Sequence, residues 1–164
     1  MNASIRPAAV AGMFYPGERH ELLRQVRQFL GEVSVTAPQP KAVIVPHAGY
    51  VYSGPVAATA CSQLREHAAS ISRVVLLGPD HRVGFHGIAA PSADYFETPL
   101  GIIPVDRQAI SALSGVMIFD AAHQQEHSLE VQLPFLQQVL GDFSLVPLVV
   151  GSVAQGEVAA VLRQ

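Results

Sequence analysis

Two histidines stand shortly after two short apolar runs of the sequence. His47 follows residues 42–45, and His81 follows residues 74–77. Runs of this kind are typical of strands buried on both faces of a sheet, and loops that leave the carboxyl ends of parallel strands meet along one sheet edge. Two neutral imidazoles at that edge can share a divalent metal ion. Each histidine alone is equally well explained as a partner of a loop carbonyl, but the matching positions favour a metal site.

A third histidine, His127, lies in a polar cluster just before a helical pattern. Glu126 and Glu130 can interact with the helix dipole there, and Ser128 can cap the helix. A helix N-terminus disfavours a protonated imidazole, so it suits a neutral histidine that accepts or relays a proton. We therefore predict His127 as a catalytic residue near the same pocket.

The remaining candidate side chains carry weaker signals. Asp80 is best explained as a turn former, although a ligand or a partner of a ligand are alternatives. Tyr50 and Tyr52 fit a pocket lining or the core equally well, and Cys61 fits a buried, inert thiol. A solvated surface position is the simplest prediction for four further histidines: His20, His67, His86 and His123.

Alternating strand and helix patterns position these residues. Apolar runs predict strands at residues 42–45, 74–77, 87–90, 102–103, 116–119 and 143–150. Helical spacing predicts helices at residues 22–30, 56–66, 106–113, 129–140 and 156–164. This alternation predicts an α/β fold with a mainly parallel or mixed central sheet and helices on both faces. The first, second and last of these strands are expected in one sheet.

Several residues predict where the elements begin and break. Ser53 can cap the second helix, with Pro55 in its first turn, and Asp106 can cap the third. Pro134 implies either a kinked helix or a helix that starts near the proline. Residues 36–40 contain two prolines and cannot continue the first helix.

Composition limits the classes of protein to consider. The 164 residues are 49% hydrophobic and 14% charged, which suits one domain over residues 1–164. A net charge of -3 without a basic run argues against nucleic acid and acidic membrane surfaces as partners. Neither a signal peptide nor an apolar stretch of about 20 residues is recognisable. The single cysteine fits a cytoplasmic location.

Five ordered motifs carry a family resemblance. They are Arg-Pro-Ala with Gly-Met-Phe-Tyr-Pro (residues 6–16), and the segments 46–54, 77–81, 126–135 and 146–151. Together they resemble the Memo family, whose bacterial members are also called AmmeMemoRadiSam system protein B. The resemblance runs from the N-terminus to about Gly151.

The resemblance implies a fold like the catalytic subunit of class III extradiol ring-cleaving dioxygenases. It also implies a metal, Fe2+ or another divalent ion, held by His47 and His81, with His127 as a further active-site histidine. Family members continue through motifs that complete the metal set and that are not present in this sequence. The chain is therefore expected to cover the N-terminal part of the fold, truncated at the C-terminus. Asp80, Glu126 or His127 would then have to replace the missing metal ligands.

Two functions follow as expectations. The first is a metal-binding, iron-linked protein with oxidoreductase or dioxygenase-like activity in its full-length form. The alternative is a non-catalytic module that uses the same pocket to bind a peptide or phosphopeptide, as the family's place in cell signalling suggests. The ligand is a small molecule or a peptide in either case, and an oligomer is compatible with both.

Overall fold

The computed structural model describes residues 3–34 and 40–164. The strands in this part of the chain are β1 (Ile5–Arg6), β2 (Arg73–Pro79), β3 (Ile88–Ala90), β4 (Tyr95–Thr98), β5 (Gly101–Pro104), β6 (Val116–Ile118) and β7 (Ser144–Val150). The helices are α1 (Arg19–Gly31), α2 (Tyr50–Ser62), α3 (Arg107–Ala112), α4 (Ala121–Gln124), α5 (Leu133–Leu140) and α6 (Gln155–Leu162). Two short 3-10 segments, Arg65–Ser70 and Glu130–Gln132, follow α2 and precede α5.

The strands form two mixed sheets. In the larger sheet the order is β2-β7-β3-β6, where β2 runs parallel to β7, β7 antiparallel to β3, and β3 parallel to β6. The smaller sheet has the order β1-β4-β5, with β1 parallel and β5 antiparallel to β4. The predicted α/β class is confirmed, although the strands divide between two sheets instead of forming one.

The most regular elements follow directly from their apolar patterns. All five residues from Leu145 to Val149 are buried in β7, as expected for a strand covered on both faces. Helix α1 buries Leu22, Val26 and Leu30, which recur on one face at helical spacing. Helix α5 starts at Leu133 with Pro134 in its first turn, where the missing N–H of proline costs nothing. The predicted helix with a start near this proline is therefore correct, without a kink.

The first predicted strand is wrong. Residues 42–45 form no strand, and the side chain of Ile44 is 99% exposed. Strand β2 pairs with β7, and no other strand pairs with it in the part of the chain that is described. An apolar run becomes a strand only when another strand pairs with it, and that depends on contacts far away in sequence. His47 consequently lies in a segment without regular secondary structure and does not follow a strand end.

The predictions of where helices begin and break have different outcomes. Helix α2 begins at Tyr50, so Ser53 lies inside it, and the hydroxyl of Ser53 donates to the carbonyl of Ala48 at 2.8 Å. The predicted cap at Ser53 is wrong because the backbone already turns helical after Gly49. Of the predicted break at residues 36–40, all but Pro40 lies outside the described residues. Asp106 does cap α3, since its carboxylate accepts from the N–H of Ala109.

No helix in the described ranges is long and apolar enough to cross a membrane. The longest, α1 and α2, have 13 residues each, whereas a span needs about 20 apolar residues.

His123 is buried, contrary to the sequence prediction of a surface position. Its side chain is packed against the ring of Phe96, and its Nε2 lies 3.0 Å from the carbonyl oxygen of Ala89. Because the carbonyl can only accept, Nε2 carries the proton and donates. Burial lowers the pKa of His123 to about 4.

This buried histidine gives the fold a defined sensitivity to acid. The unfolded chain protonates His123 near pH 6.5 and the folded chain only near pH 4, so the unfolded state binds more protons between these values. Stability contributed by the neutral ring is lost as the pH falls from 6.5 towards 4, by about 3 kcal/mol. Urea denaturation of the wild type and of His123→Gln at pH 7 and pH 4.5 should show a smaller acid loss for the variant. An equal loss in the wild type and in His123→Gln would contradict this assignment. The variant His86→Gln, at an exposed histidine, serves as control and should lose as much stability as the wild type.

Candidate metal centre

The structure brings together the three histidines that the sequence singled out. The ring centroids of His47 and His81 are 5.2 Å apart, and those of His81 and His127 are 4.6 Å apart. The third pair, His47 and His127, is separated by 5.9 Å. Three imidazoles at these distances can face one ligand. Their roles as metal ligands or catalytic groups stay predictions.

His81 owes its position to the turn that ends β2. The carboxylate of Asp80 accepts from the backbone N–H groups of Arg82, Val83 and Gly84, at 2.6 to 3.2 Å. The N–H of Asp80 itself donates to the carbonyl of Val150 at the end of β7. Asp80 is therefore the turn former that its sequence context predicted, and it holds the His81 loop against the sheet.

A glycine in β2 lets the His127 segment approach the strand. A Cβ atom at Gly78 would lie 2.5 Å from the hydroxyl oxygen of Ser128, which is too close for any side chain. The same hydroxyl donates to the carbonyl of Pro79 at 2.9 Å. The close approach of residues 78 and 128 places His127 beside His81.

Glu126 links the two histidine loops. Its Oε2 accepts from the backbone N–H of His81 at 2.7 Å, and its Oε1 accepts from the N–H groups of His127 and Ser128 at 2.8 Å each. Its Oε1 also lies 3.0 Å from Nδ1 of His81. Burial alone would raise the pKa of this carboxyl group, but the hydrogen bonds from the His81 ring and the three N–H groups outweigh it and lower the pKa to about 2. Glu126 is thus ionised, and because a carboxylate can only accept, Nδ1 of His81 carries its proton.

The tautomer of His81 determines what its ring can do. With Nδ1–H donating to Glu126, the lone pair of Nε2 is free to bind a metal ion, an arrangement that recurs in metal sites. Ligand atoms of His81, Glu126 and His127 lie within 4.8 Å of one another, close enough to surround a metal ion. Four hydrogen bonds already occupy the Glu126 carboxylate, so we assign it the orientation of His81 in preference to direct ligation. The sequence prediction of Glu126 as a helix-dipole group missed this role.

His127 packs against both His81 and Phe14. The ring of Phe14 is 4.6 Å from its own ring, measured between centroids. Burial, with His81 and His47 as neighbours, lowers the pKa of His127, and burial with His81 lowers that of His47. Nδ1 of His127 is 3.2 Å from Oε1 of Glu126 but is not aligned for a hydrogen bond, and among the described residues this buried nitrogen has no partner.

These features fit a divalent metal ion. Neutral imidazole nitrogens are good ligands for iron, zinc and copper, and a nearby ionised carboxylate offsets part of the ion's charge. The lowered pKa values of His47 and His127 keep both rings neutral at pH 7. The pKa of Glu126 keeps its carboxylate charged. The donor types therefore suit the metal that the family resemblance implies. His47 is a neighbour of the group of ligand atoms within 4.8 Å of one another, which comprises His81, Glu126 and His127, and is not a member of it.

A buried ion pair anchors the segment that carries Glu126 and His127. The guanidinium group of Arg6 donates to the carboxylate of Glu130 and to the carbonyl oxygens of His123 and Glu126. Glu130 is fully buried and also accepts from the hydroxyl of Tyr15 and from two backbone N–H groups of residues 9 and 10. Glu130 is therefore a core residue; it lies in the first turn of the 3-10 segment, as the sequence predicted, but its side chain is bound by Arg6, Tyr15 and two backbone N–H groups. Nothing in the sequence near Arg6 signals this partner 124 residues away.

The other sequence candidates lie outside the histidine cluster. Tyr50 is buried and donates its hydroxyl to the carbonyl of Val131, which decides for the core in its case. Tyr52 is 84% exposed. Cys61 is buried as predicted, and burial raises the pKa of its thiol to about 12. An open cleft of about 630 Å³ between β5 and the end of α5 is lined by none of the three histidines.

Comparison with known proteins gives consistent matches. A sequence model of the family described as Memo-like protein matches residues 6–163. A MEMO1 family protein of Ignicoccus hospitalis is 43% identical over 98% of this chain and 61% of its own length. A MEMO1 family protein of Thermotoga neapolitana is 38% identical over 88% of this chain and 57% of its own length. One of Aquifex aeolicus is 41% identical over 89% of this chain and 55% of its own length. The chain therefore spans less than two thirds of the length of these relatives.

Proposed function

The chain belongs to the Memo-like protein family, and from this membership and the histidine cluster we propose that it binds a divalent metal through His47 and His81. We further propose that the metal is Fe2+ and that the full-length protein has oxidoreductase chemistry of the dioxygenase type. The hydrogen bond between Glu126 and Nδ1 of His81 carries the proposal. It leaves the Nε2 lone pair of His81 available beside a second imidazole.

His47 supplies the second nitrogen. Its ring is 5.2 Å from that of His81 between centroids, and its lowered pKa favours the neutral form that a ligand needs. When bound, Fe2+ would supply Lewis acidity and redox chemistry with coordination positions left open for a small ligand. The metal identity rests on the family resemblance, since imidazole pairs also accept other divalent ions.

His127 is the candidate for moving a proton. Its neutral ring stacks against that of His81, so an unprotonated nitrogen lies close to any group bound between His47 and His81. The backbone N–H of His127 donates to Glu126, and the ring of Phe14 packs against the imidazole and limits its rotation. A general base must lie within hydrogen-bond reach of the proton that it accepts, and the packing of His127 beside His81 supports this role.

Metal titration tests the proposal directly. Anaerobic calorimetry with Fe2+, and in parallel with Co2+, is expected to give one bound ion per chain. The exposed histidine variant His86→Ala serves as control and should bind identically. Absence of binding by the folded chain would reject the metal function and leave the peptide-binding alternative, which titration with phosphorylated and unphosphorylated peptides would then examine.

A further inference from the structure

His47 and His81 are held in place by different means. His81 follows β2, which is paired along its length with β7. The chain before His47 forms no strand, and its neighbour Ile44 is almost completely exposed. The sheet therefore fixes His81 but not His47, and contacts outside the sheet must set the position of the second ring. One is a backbone hydrogen bond from the N–H of Tyr50 to the carbonyl of Phe14 at 2.7 Å; the others involve side chains.

Two hydrogen bonds connect the residues on either side of His47 to Val131 and Gln132. The amide Nε2 of Gln132 donates to the carbonyl of Pro46 at 2.9 Å, one residue before the histidine. Tyr50 lies three residues after His47, and its hydroxyl donates to the carbonyl of Val131 at 2.8 Å. Val131 and Gln132 belong to the 3-10 segment that follows His127. These bonds therefore fix His47 relative to the segment that carries His127.

Gln132 is not explained by stability alone. Its side chain is 5% exposed, and its Oε1 is buried without a hydrogen-bond partner in residues 3–34 and 40–164. A buried acceptor without a partner is destabilising. A methionine of similar length would fill the same space without that unpaired oxygen. The benefit of a glutamine must then lie in its N–H donor and in what that donor holds.

We propose that Gln132 is a positioning residue for the metal centre. Its amide group fixes the carbonyl of Pro46, and through it holds the imidazole of His47 beside those of His81 and His127, at centroid separations of 5.2 Å and 5.9 Å, where it can join them in binding an ion. This inference rests on the proposed metal function. The role differs from that of Glu126, which orients the His81 ring directly.

The test uses two glutamines with comparable bonds. Gln137 also donates through Nε2 to a backbone carbonyl, that of Gly101 at 3.2 Å, at the start of β5 and away from the histidines. Gln132→Met is expected to weaken Co2+ binding about 10-fold to 100-fold, and to change the visible absorption of the bound Co2+. Gln137→Met should leave both unchanged. The thermal midpoint of the metal-free protein should be close to that of the wild type for Gln132→Met.

Each outcome decides the proposal. Wild-type Co2+ affinity and absorption in Gln132→Met would overturn it. If the wild type binds no Co2+, the proposed metal function fails, and amide hydrogen exchange tests whether Gln132 still positions His47. Faster exchange in Gln132→Met at Tyr50, whose N–H donates to the carbonyl of Phe14, supports that positioning, and unchanged exchange overturns it. If Gln132→Met does not fold, Gln132→Glu, which lacks the N–H donor, takes its place. Failure of both to fold would make Gln132 a requirement of the fold and overturn the proposal.

Discussion

Replacing Glu130 by glutamine is expected to lower the free energy of unfolding by about 3–5 kcal/mol. The carboxylate is fully buried and pairs with the guanidinium group of Arg6, which is itself buried. The amide of glutamine has similar size but no charge, so the Arg6 cation is left in the interior without a counter-charge. Urea denaturation of both proteins at pH 7 measures the difference.

A surface ion pair provides the control. Arg73 pairs with Asp106 at 2.7 Å, but the arginine side chain is 57% exposed. Arg73→Gln should cost less than about 1 kcal/mol because water already solvates the guanidinium group of Arg73, and Asp106 keeps its hydrogen bond from the N–H of Ala109. If Glu130→Gln cost no more than Arg73→Gln, the buried pair would not be a main support of the fold. Adding Arg6→Met to Glu130→Gln should recover part of the loss, since it removes the stranded charge.

The second large effect concerns metal affinity. The combined variant His47→Ala and His81→Ala is expected to reduce Fe2+ and Co2+ affinity by more than about 100-fold, beyond the 10-fold to 100-fold typical for loss of an outer partner. Both proposed nitrogen ligands are then missing, and Glu126 and His127 remain alone. Neither ring is fully buried, so the thermal midpoint of the metal-free protein should change little. Calorimetric titration measures the affinity.

The control removes two histidines outside the cluster. His20 and His86 are both exposed, and the combined variant His20→Ala and His86→Ala should bind the ions like the wild type. Unchanged affinity after loss of His47 and His81 would return both to the role of ordinary loop histidines.

Sequence patterns predicted the elements whose cause is local. The apolar run of β7 and the spaced leucines of α1 indicate burial by themselves, and Asp80 and Asp106 act on N–H groups within four residues. Residues 42–45 have the same apolar pattern as β7 but form no strand. The difference lies in strand pairing, which is not encoded in the run itself.

The candidate site shows the same limit. Its three histidines could be named from their positions in the sequence, and the structure brings their rings together. The supporting residues could not be named. Glu126 and Glu130 look like ordinary acids at a helix start. Their roles come from hydrogen bonds with His81 and Arg6, which are 45 and 124 residues away in sequence. Gln132 likewise depends on Pro46, 86 residues away.

These long separations also order the events of folding. Closing a chain loop costs entropy that grows with its length, and contacts distant in sequence form slowly. The bonds from Glu126 to His81, from Gln132 to Pro46 and from Arg6 to Glu130 close loops of 45, 86 and 124 residues. Helices α1 and α5 contain only local backbone bonds and can form earlier. We therefore expect the histidine cluster to be assembled among the last steps, so that a partly folded chain would have its helices before the three rings are brought together.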